Sequence, residues 1–130
     1  MNITASALSL TVDDVAASRD FFMTHFGYAV AMEADGFVSL SHQDAALNLV
    51  LLRRGIEVLP PEQRDRCASG LIVAFTVTDL DAQERRLRAE GVEITMPLRE
   101  EPWGERLFQV TDPNGVVVEL LEWVTPADAS

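Results

Sequence analysis

Lysine is absent from this chain. All 10 basic residues are arginines, set against 21 acids for a net charge of −11. Cysteine occurs once, as Cys67, and histidine twice, as His25 and His42. Each shortage excludes something. A nucleic-acid binder needs cations to displace phosphate counterions. Here the arginines are scattered among acids, so nucleic acid is not an expected partner. The same field repels anionic membrane surfaces and favours a cationic ligand, although acidity also serves plain solubility. A lone cysteine rules out an intrachain disulfide framework and fits a reducing, cytoplasmic compartment. No apolar run approaches the roughly 20 residues of a membrane helix. Met1-Asn2-Ile3-Thr4 has neither the basic region nor the apolar core of a secretory signal, so none is expected.

What remains is enough for one domain. The chain has 130 residues, 48% of them hydrophobic. At this length, folding buries roughly two thirds of the surface that the unfolded chain exposes, without a metal or disulfide staple.

The plan is written twice. Leu8, Leu10 and Val12 alternate with Ala7, Ser9 and Thr11, which predicts a half-buried strand. Asp13-Asp14 then offers a helix N-cap. Val15, Ser18, Phe22 and Phe26 recur at helical spacing, and Gly27 stops the helix. About 65 residues later Val73, Phe75 and Val77 alternate with Ile72, Ala74 and Thr76. Asp79 and Asp81 stand where a helix should begin, Asp81 and Glu84 have capping-box spacing, and Gly91 ends the segment. Three strands are predicted after each helix, at roughly 28–33, 36–41 and 46–53, then 92–96, 105–111 and 116–124. Asp112-Pro113-Asn114-Gly115 is a hairpin turn rather than a calcium loop, because alternating acidic ligands are missing. The expected fold is α+β: two tandem βαβββ modules forming a cupped, mostly antiparallel sheet with helices outside. Module one covers about 3–53, a linker 54–70, module two 71–124 and a frayed tail 125–130.

This arrangement resembles the vicinal oxygen chelate superfamily of glyoxalase I, extradiol dioxygenases, fosfomycin-resistance enzymes and bleomycin-resistance proteins. The most specific stretch runs from Trp103-Gly104-Glu105-Arg106-Leu107-Phe108 through Asp112-Pro113-Asn114-Gly115 to Glu119-Leu120. Leu10-Thr11-Val12-Asp13-Asp14-Val15 and Ala74-Phe75-Thr76-Val77-Thr78-Asp79 fit as well. The resemblance implies one divalent metal in the cup, held from equivalent strand positions of the two modules. Those positions are Ala7, Asn48, Ile72 and Glu119. Only Glu119 keeps the family's glutamate. A catalytic divalent ion needs about three fixed protein ligands. Alanine and isoleucine donate nothing and asparagine is a weak neutral donor, so no metal or other cofactor is expected. His25 falls at a helix end, where it suits the dipole, and His42 in a turn as a solvated loop residue.

Without a metal, Glu119 must meet cavity water, a hydrogen bond or a counter-charge. Three roles stand open for it: binding the cationic part of a ligand, pairing with an arginine such as Arg106, or surviving as a relic. Strand parity puts Ala7, Asn48, Val50, Ile72, Glu119 and Leu121 on one mostly small and apolar surface. In the family the loop corresponding to that of Trp103 rims the pocket, so the resemblance implies that Trp103 stacks on a guest or plugs the barrel-like mouth. Phe37 and Met32 are left unplaced by parity. The expected ligand-contact set is therefore Ala7, Asn48, Val50, Ile72, Trp103, Arg106, Glu119 and Leu121.

Three functions compete. The first is a metal-independent binding protein of bleomycin-resistance type, sequestering an apolar or aromatic, in part cationic, antibiotic or metabolite. The second is a glyoxalase-like lyase or isomerase using Glu119 as base, with or without a metal. The third is a structural or regulatory homodimer. A homodimer is the expected assembly in each case, since small chains often pair about a two-fold axis.

Overall fold

The computed structural model describes residues 1–124, so the tail expected at 125–130 lies outside the described residues. Chain order is β1 (Ser6–Val12), α1 (Val15–Phe26), β2 (Ala29–Ala34), β3 (Phe37–Ser41), β4 (Leu47–Arg53), β5 (Ile72–Thr76), α2 (Leu80–Ala89), β6 (Ile94–Glu100), β7 (Glu105–Thr111) and β8 (Val117–Trp123). This is the βαβββ plan twice over, in an α+β fold. The chain divides into two compact units at Ser69/Gly70. Each unit carries its own four-stranded sheet, ordered β1-β4-β3-β2 and β5-β8-β7-β6. In each sheet the first strand pairs parallel with the last, and the other pairings are antiparallel. The helix carries the chain from the first strand to the far edge, and a meander brings it back.

In the first unit the N-cap is Asp14, whose Oδ1 accepts from the Ala17 N–H at 3.1 Å. Gly27 ends α1 in the left-handed region at φ 75°, a conformation that glycine adopts without a Cβ penalty. The helix buries Ser18, Phe21 and Phe22. Phe22 meets Tyr28 edge-on at 5.9 Å, and the Tyr28 hydroxyl donates to the Leu47 carbonyl at 3.0 Å. Leu10, Val12, Leu40, Leu49 and Leu51 complete this core. Burial follows the predicted alternation at Leu10, Val12, Leu49 and Leu51, but Thr11 and Leu52 on the other face are buried as well.

His42 does more than the expected solvated loop residue. Its Nδ1 accepts from the backbone N–H groups of Asp44 and Ala45 at 3.0 and 3.1 Å. Its ring lies 5.1 Å from that of Tyr28. These two bonds close the β3–β4 turn around the His42 ring. His25 lies in the last turn of α1, as expected, 5.3 Å from the Phe21 ring.

Residues 54–69 are tied to the first unit by named bonds. Arg54 N–H donates to the Val12 carbonyl at 2.9 Å, and Ala68 N–H to the Thr11 carbonyl at 2.7 Å. Arg54 meets Asp13 at 2.9 Å. The Cys67 thiol donates to the Asp13 carboxylate at 3.5 Å, and burial followed by that carboxylate pushes the thiol above its usual range.

In the second unit the helix begins differently from the capping-box expectation. Asp79 caps α2, its Oδ1 accepting from the Ala82 N–H at 3.2 Å. Asp79 holds φ 54°, a positive value shared with no other described non-glycine residue. Asp81 is already inside the first turn and binds Arg106, while Glu84 pairs with Arg88 one turn on at 3.3 Å. Leu80 and Leu87 are fully buried. Placing Leu80 in the core fixes the helix start one residue after Asp79. The core is completed by Val73, Phe108, Val110, Val118 and Leu120. In the β7–β8 turn, the buried Asp112 carboxylate accepts from Asn114 N–H at 2.9 Å and Val116 N–H at 2.8 Å. Both bonds hold a tight turn, as the sequence predicted.

Candidate functional site

Each sheet has one face against its own helix and one face turned away from it. In the first unit the turned-away face follows from register. Ala7 pairs with Asn48, Ser9 with Val50 and Thr11 with Leu52. Ser39 pairs with Val50 and Phe37 with Leu52, and Met32 pairs with Ser39 across the next strand. Phe37 and Met32, which sequence parity left unplaced, therefore share the face of Asn48 and Val50. Met32 reaches it because the register shifts between Val30 and Met32, and a bulge of that kind moves later side chains to the other face. This surface carries methyl, thioether, hydroxyl, amide and phenyl groups and no ionisable group among those pairs.

The second face is different. Gln109 pairs with Glu119, Leu107 with Leu121 and Glu105 with Trp123. On the other side of β8, Ala74 pairs with Glu119, and Ile72 with Val117. Ile72 is thus two residues displaced from Glu119 along the strand pair, and Ala74 stands beside it. Glu119 is 9% exposed. Its Oε1 accepts from the Gln109 amide at 2.9 Å. Burial pushes its carboxyl above the usual range, the Gln109 bond works against this, and the neighbouring Glu105 and Glu101 carboxylates add to it.

Of the roles open to Glu119, pairing with Arg106 is not the one realised. Arg106 stands on the opposite face of the sheet. Its guanidinium meets Asp81 at 3.2 Å and Glu122 at 3.0 Å, pinning the start of α2 to β7 and β8. The reason is parity: Arg106, Phe108 and Val110 alternate with Glu105, Leu107 and Gln109. Arg106 is raised, and Asp81 lowered, from their ordinary ranges by the hydrogen bonds they share.

Trp103 sits in the turn between β6 and β7. That turn is closed by Glu101 N–H to the Glu105 carbonyl at 2.7 Å, Gly104 N–H to the Glu101 carbonyl at 3.0 Å, and Val124 N–H to the Gly104 carbonyl at 2.9 Å. Gly104 takes φ 91° there. The Trp103 indole is 63% exposed, and its Nε1–H donates to the Glu105 carboxylate at 2.8 Å. Trp123, opposite Glu105, is 50% exposed. Glu105 and Gln109 are the contacts that sequence reasoning missed on this face. Both share strand parity with Leu107, which would have placed them.

The metal positions implied by the resemblance do not fit an ion. Ala7 lies beside Asn48, which offers one neutral amide. Ile72 and Ala74, the two candidates beside β8, offer hydrocarbon. Glu119 is a single carboxylate already accepting from Gln109. Among the described residues no group of three or more His, Cys, Asp or Glu side chains could hold a metal. A transition metal needs about three such donors.

Comparison with known proteins gives the fold a family. Among solved structures, the chain is similar to a glyoxalase/bleomycin resistance protein/dioxygenase from Nocardioides, with 25% identity, TM-score 0.77, and 96% of this chain and 86% of that one covered. It is also similar to TnmS3, an antibiotic binding protein from Streptomyces, with 25% identity, TM-score 0.72, and coverage of 95% and 98%. Lactoylglutathione lyase from Agrobacterium tumefaciens shares the fold at 20% identity and TM-score 0.73, with coverage of 94% and 96%. Comparison with curated proteins finds no match. The model of one protein family matches residues 4–120. With that span matched and both βαβββ units in place, the chain belongs to the Glyoxalase/Bleomycin resistance protein/Dioxygenase superfamily.

Proposed function

We propose that this protein is a metal-independent small-molecule binding protein that sequesters an apolar or aromatic, in part cationic, antibiotic or metabolite. The observation that carries this reading is the donor set. Of the four positions where the family places metal ligands, only Glu119 is ionisable, and Gln109 already occupies one of its oxygens. Ala74 and the Gln109 amide stand beside it, and Leu107, Leu121 and the two indoles at Glu105 share its face, a mixture of apolar and polar groups that organic-ligand sites use. Ala7, Asn48 and Val50 offer contacts on the first face, and Ile72, Trp103, Glu119 and Leu121 on the second. Similarity to an antibiotic binding protein at 25% identity supports the same direction. A homodimer is the assembly this reading takes. No helix among the described residues is long and apolar enough to cross a membrane.

One observation favours a second reading, a lyase or isomerase using Glu119. Burial raises the Glu119 carboxyl above its ordinary range, the direction in which a carboxyl becomes a better general acid or base. The neighbouring Glu105 carboxyl would be the second acid of such a pair, and the Gln109 amide is the hydrogen-bond donor beside it.

The test is elemental analysis of the purified protein together with a thermal-shift panel of antibiotics and metabolites. Binding to the native state raises the midpoint by mass action. The expected result is substoichiometric metal and at least one saturable shift. Stoichiometric nickel, zinc, manganese or iron, or turnover lost in Glu119→Gln, overturns it.

A further inference from the structure

The charge that reads a cationic guest need not be the family's glutamate. Glu119 is buried and already accepts from Gln109. A cation reaching it must give up nearly all its water, and stripping water from a charge opposes binding. Glu105, on β7, lies on the same face of the sheet as Glu119, beside its carboxyl, and is only half-buried. Two indoles flank it. Trp103 donates its Nε1–H to the Glu105 Oε1, which turns the ring edge toward the carboxylate and leaves a face for a guest. Trp123 stands directly across the strand pair, where paired side chains approach to about 5 Å at Cβ. Both rings are at least half exposed. The arginine nearest in sequence, Arg106, is turned to the other face and held by Asp81 and Glu122, so it does not neutralise Glu105. Arg99 is held by Glu101 at 2.6 Å.

A carboxylate between two exposed indoles is complementary to an organic cation, because the face of an indole is negative and attracts alkylated ammonium through its ring. The strong Trp103–Glu105 bond fixes the geometry in advance, which lowers the ordering cost of binding. We infer that Glu105, flanked by Trp103 and Trp123, is the specificity-determining residue that selects guests bearing an alkylated ammonium or similar organic cation. This rests on the binding function proposed above. It assigns the charge recognition to Glu105, leaving Glu119 as a buried polar contact.

Choline and its carbon isostere 3,3-dimethyl-1-butanol separate charge from shape. Tryptophan fluorescence of the full chain is titrated with each, at matched chloride concentration, in Trp123→Phe and Trp103→Phe backgrounds so that each indole is read alone. Choline is expected to quench saturably in both backgrounds and the isostere not to. Glu105→Gln, which keeps an oxygen to accept from Trp103, is expected to weaken choline about tenfold. Glu119→Gln should lose less than Glu105→Gln. Glu62→Gln, an equal charge change in the 3-10 turn at Pro61–Gln63, should lose nothing. Unchanged far-ultraviolet dichroism and melting midpoint identify variants that fold, and the choline-isostere contrast in the parent chain stands without them. Equal quenching by the two probes, or a larger loss in Glu119→Gln, overturns the assignment. Neutral guests binding in the wider panel while choline does not also sinks it, leaving the binding function standing. No binding by either probe or panel sinks both.

Discussion

The two units are built alike and charged differently. Both have a βαβββ chain path, a parallel first-to-last strand pair and an aspartate-capped helix. Yet the face turned from the helix carries no ionisable group among the paired residues of the first unit, where Asn48, Val50, Ser39 and Phe37 stand. In the second it carries Glu105 and Glu119 beside two tryptophans. The buried stripe fixes the same backbone in both units, while the opposite stripe differs: neutral in the first, charged and flanked by indoles in the second.

The likeness of the two cores is the first thing to break. Phe22 and Phe108 are each fully buried. Phe22→Ala and Phe108→Ala should each cost about 3–5 kcal/mol, measured by urea unfolding. A cost in one unit only would show that the cores are not equivalent.

Next come the helix starts. Asp14 caps α1 with φ −118°, an ordinary extended value, whereas Asp79 caps α2 at φ 54°. Replacing a capping side chain by alanine costs about 1 kcal/mol. Alanine also fits the left-handed region less well than aspartate, by about another 1 kcal/mol. Asp79→Ala should therefore cost roughly twice what Asp14→Ala does, and Asp79→Gly should recover part of the loss. Equal costs for the two alanine variants would remove this distinction between the units.

The smallest effect is electrostatic. The Glu119 carboxyl is raised from an ordinary 4.5, by burial first. The folded state therefore binds this proton more tightly than the unfolded state does. Its contribution to stability is full below pH 4.5 and is lost as pH rises through the raised value. Glu119→Gln should flatten that part of the stability-against-pH curve, with no matching change from Asn48→Ala in the first unit. A curve that Glu119→Gln leaves unaltered would contradict the burial argument.

Most of the frame was legible in the sequence because period-two alternation and helix punctuation are local signals. Leu10, Val12, Leu49, Leu51, Val73, Val118 and Leu120 are buried where alternation put them. The expected ligand contacts include Arg106, whereas its parity with Phe108 and Val110 puts it on the opposite face. What was not legible depends on pairing between distant strands. The bulge that turns Met32 to the face of Ser39, and the offset that sets Ala74 rather than Ile72 beside Glu119, are properties of register. The choice between Asp79 and Asp81 as cap was settled by the burial of Leu80, which either spacing permits. The hydrogen bonds of His42 could not be foreseen from a turn of generic composition.

The bond from Ala68 to Thr11 bears on how the protein behaves in a crowd. β1 lies at the rim of its sheet, and a bare rim is a template on which another chain can add a strand. Here the chain's own return path occupies part of that template. Fibrous or ribbon-like self-association along this rim would first have to peel residues 67–69 away, so the segment that joins the halves also guards one of them against its neighbours.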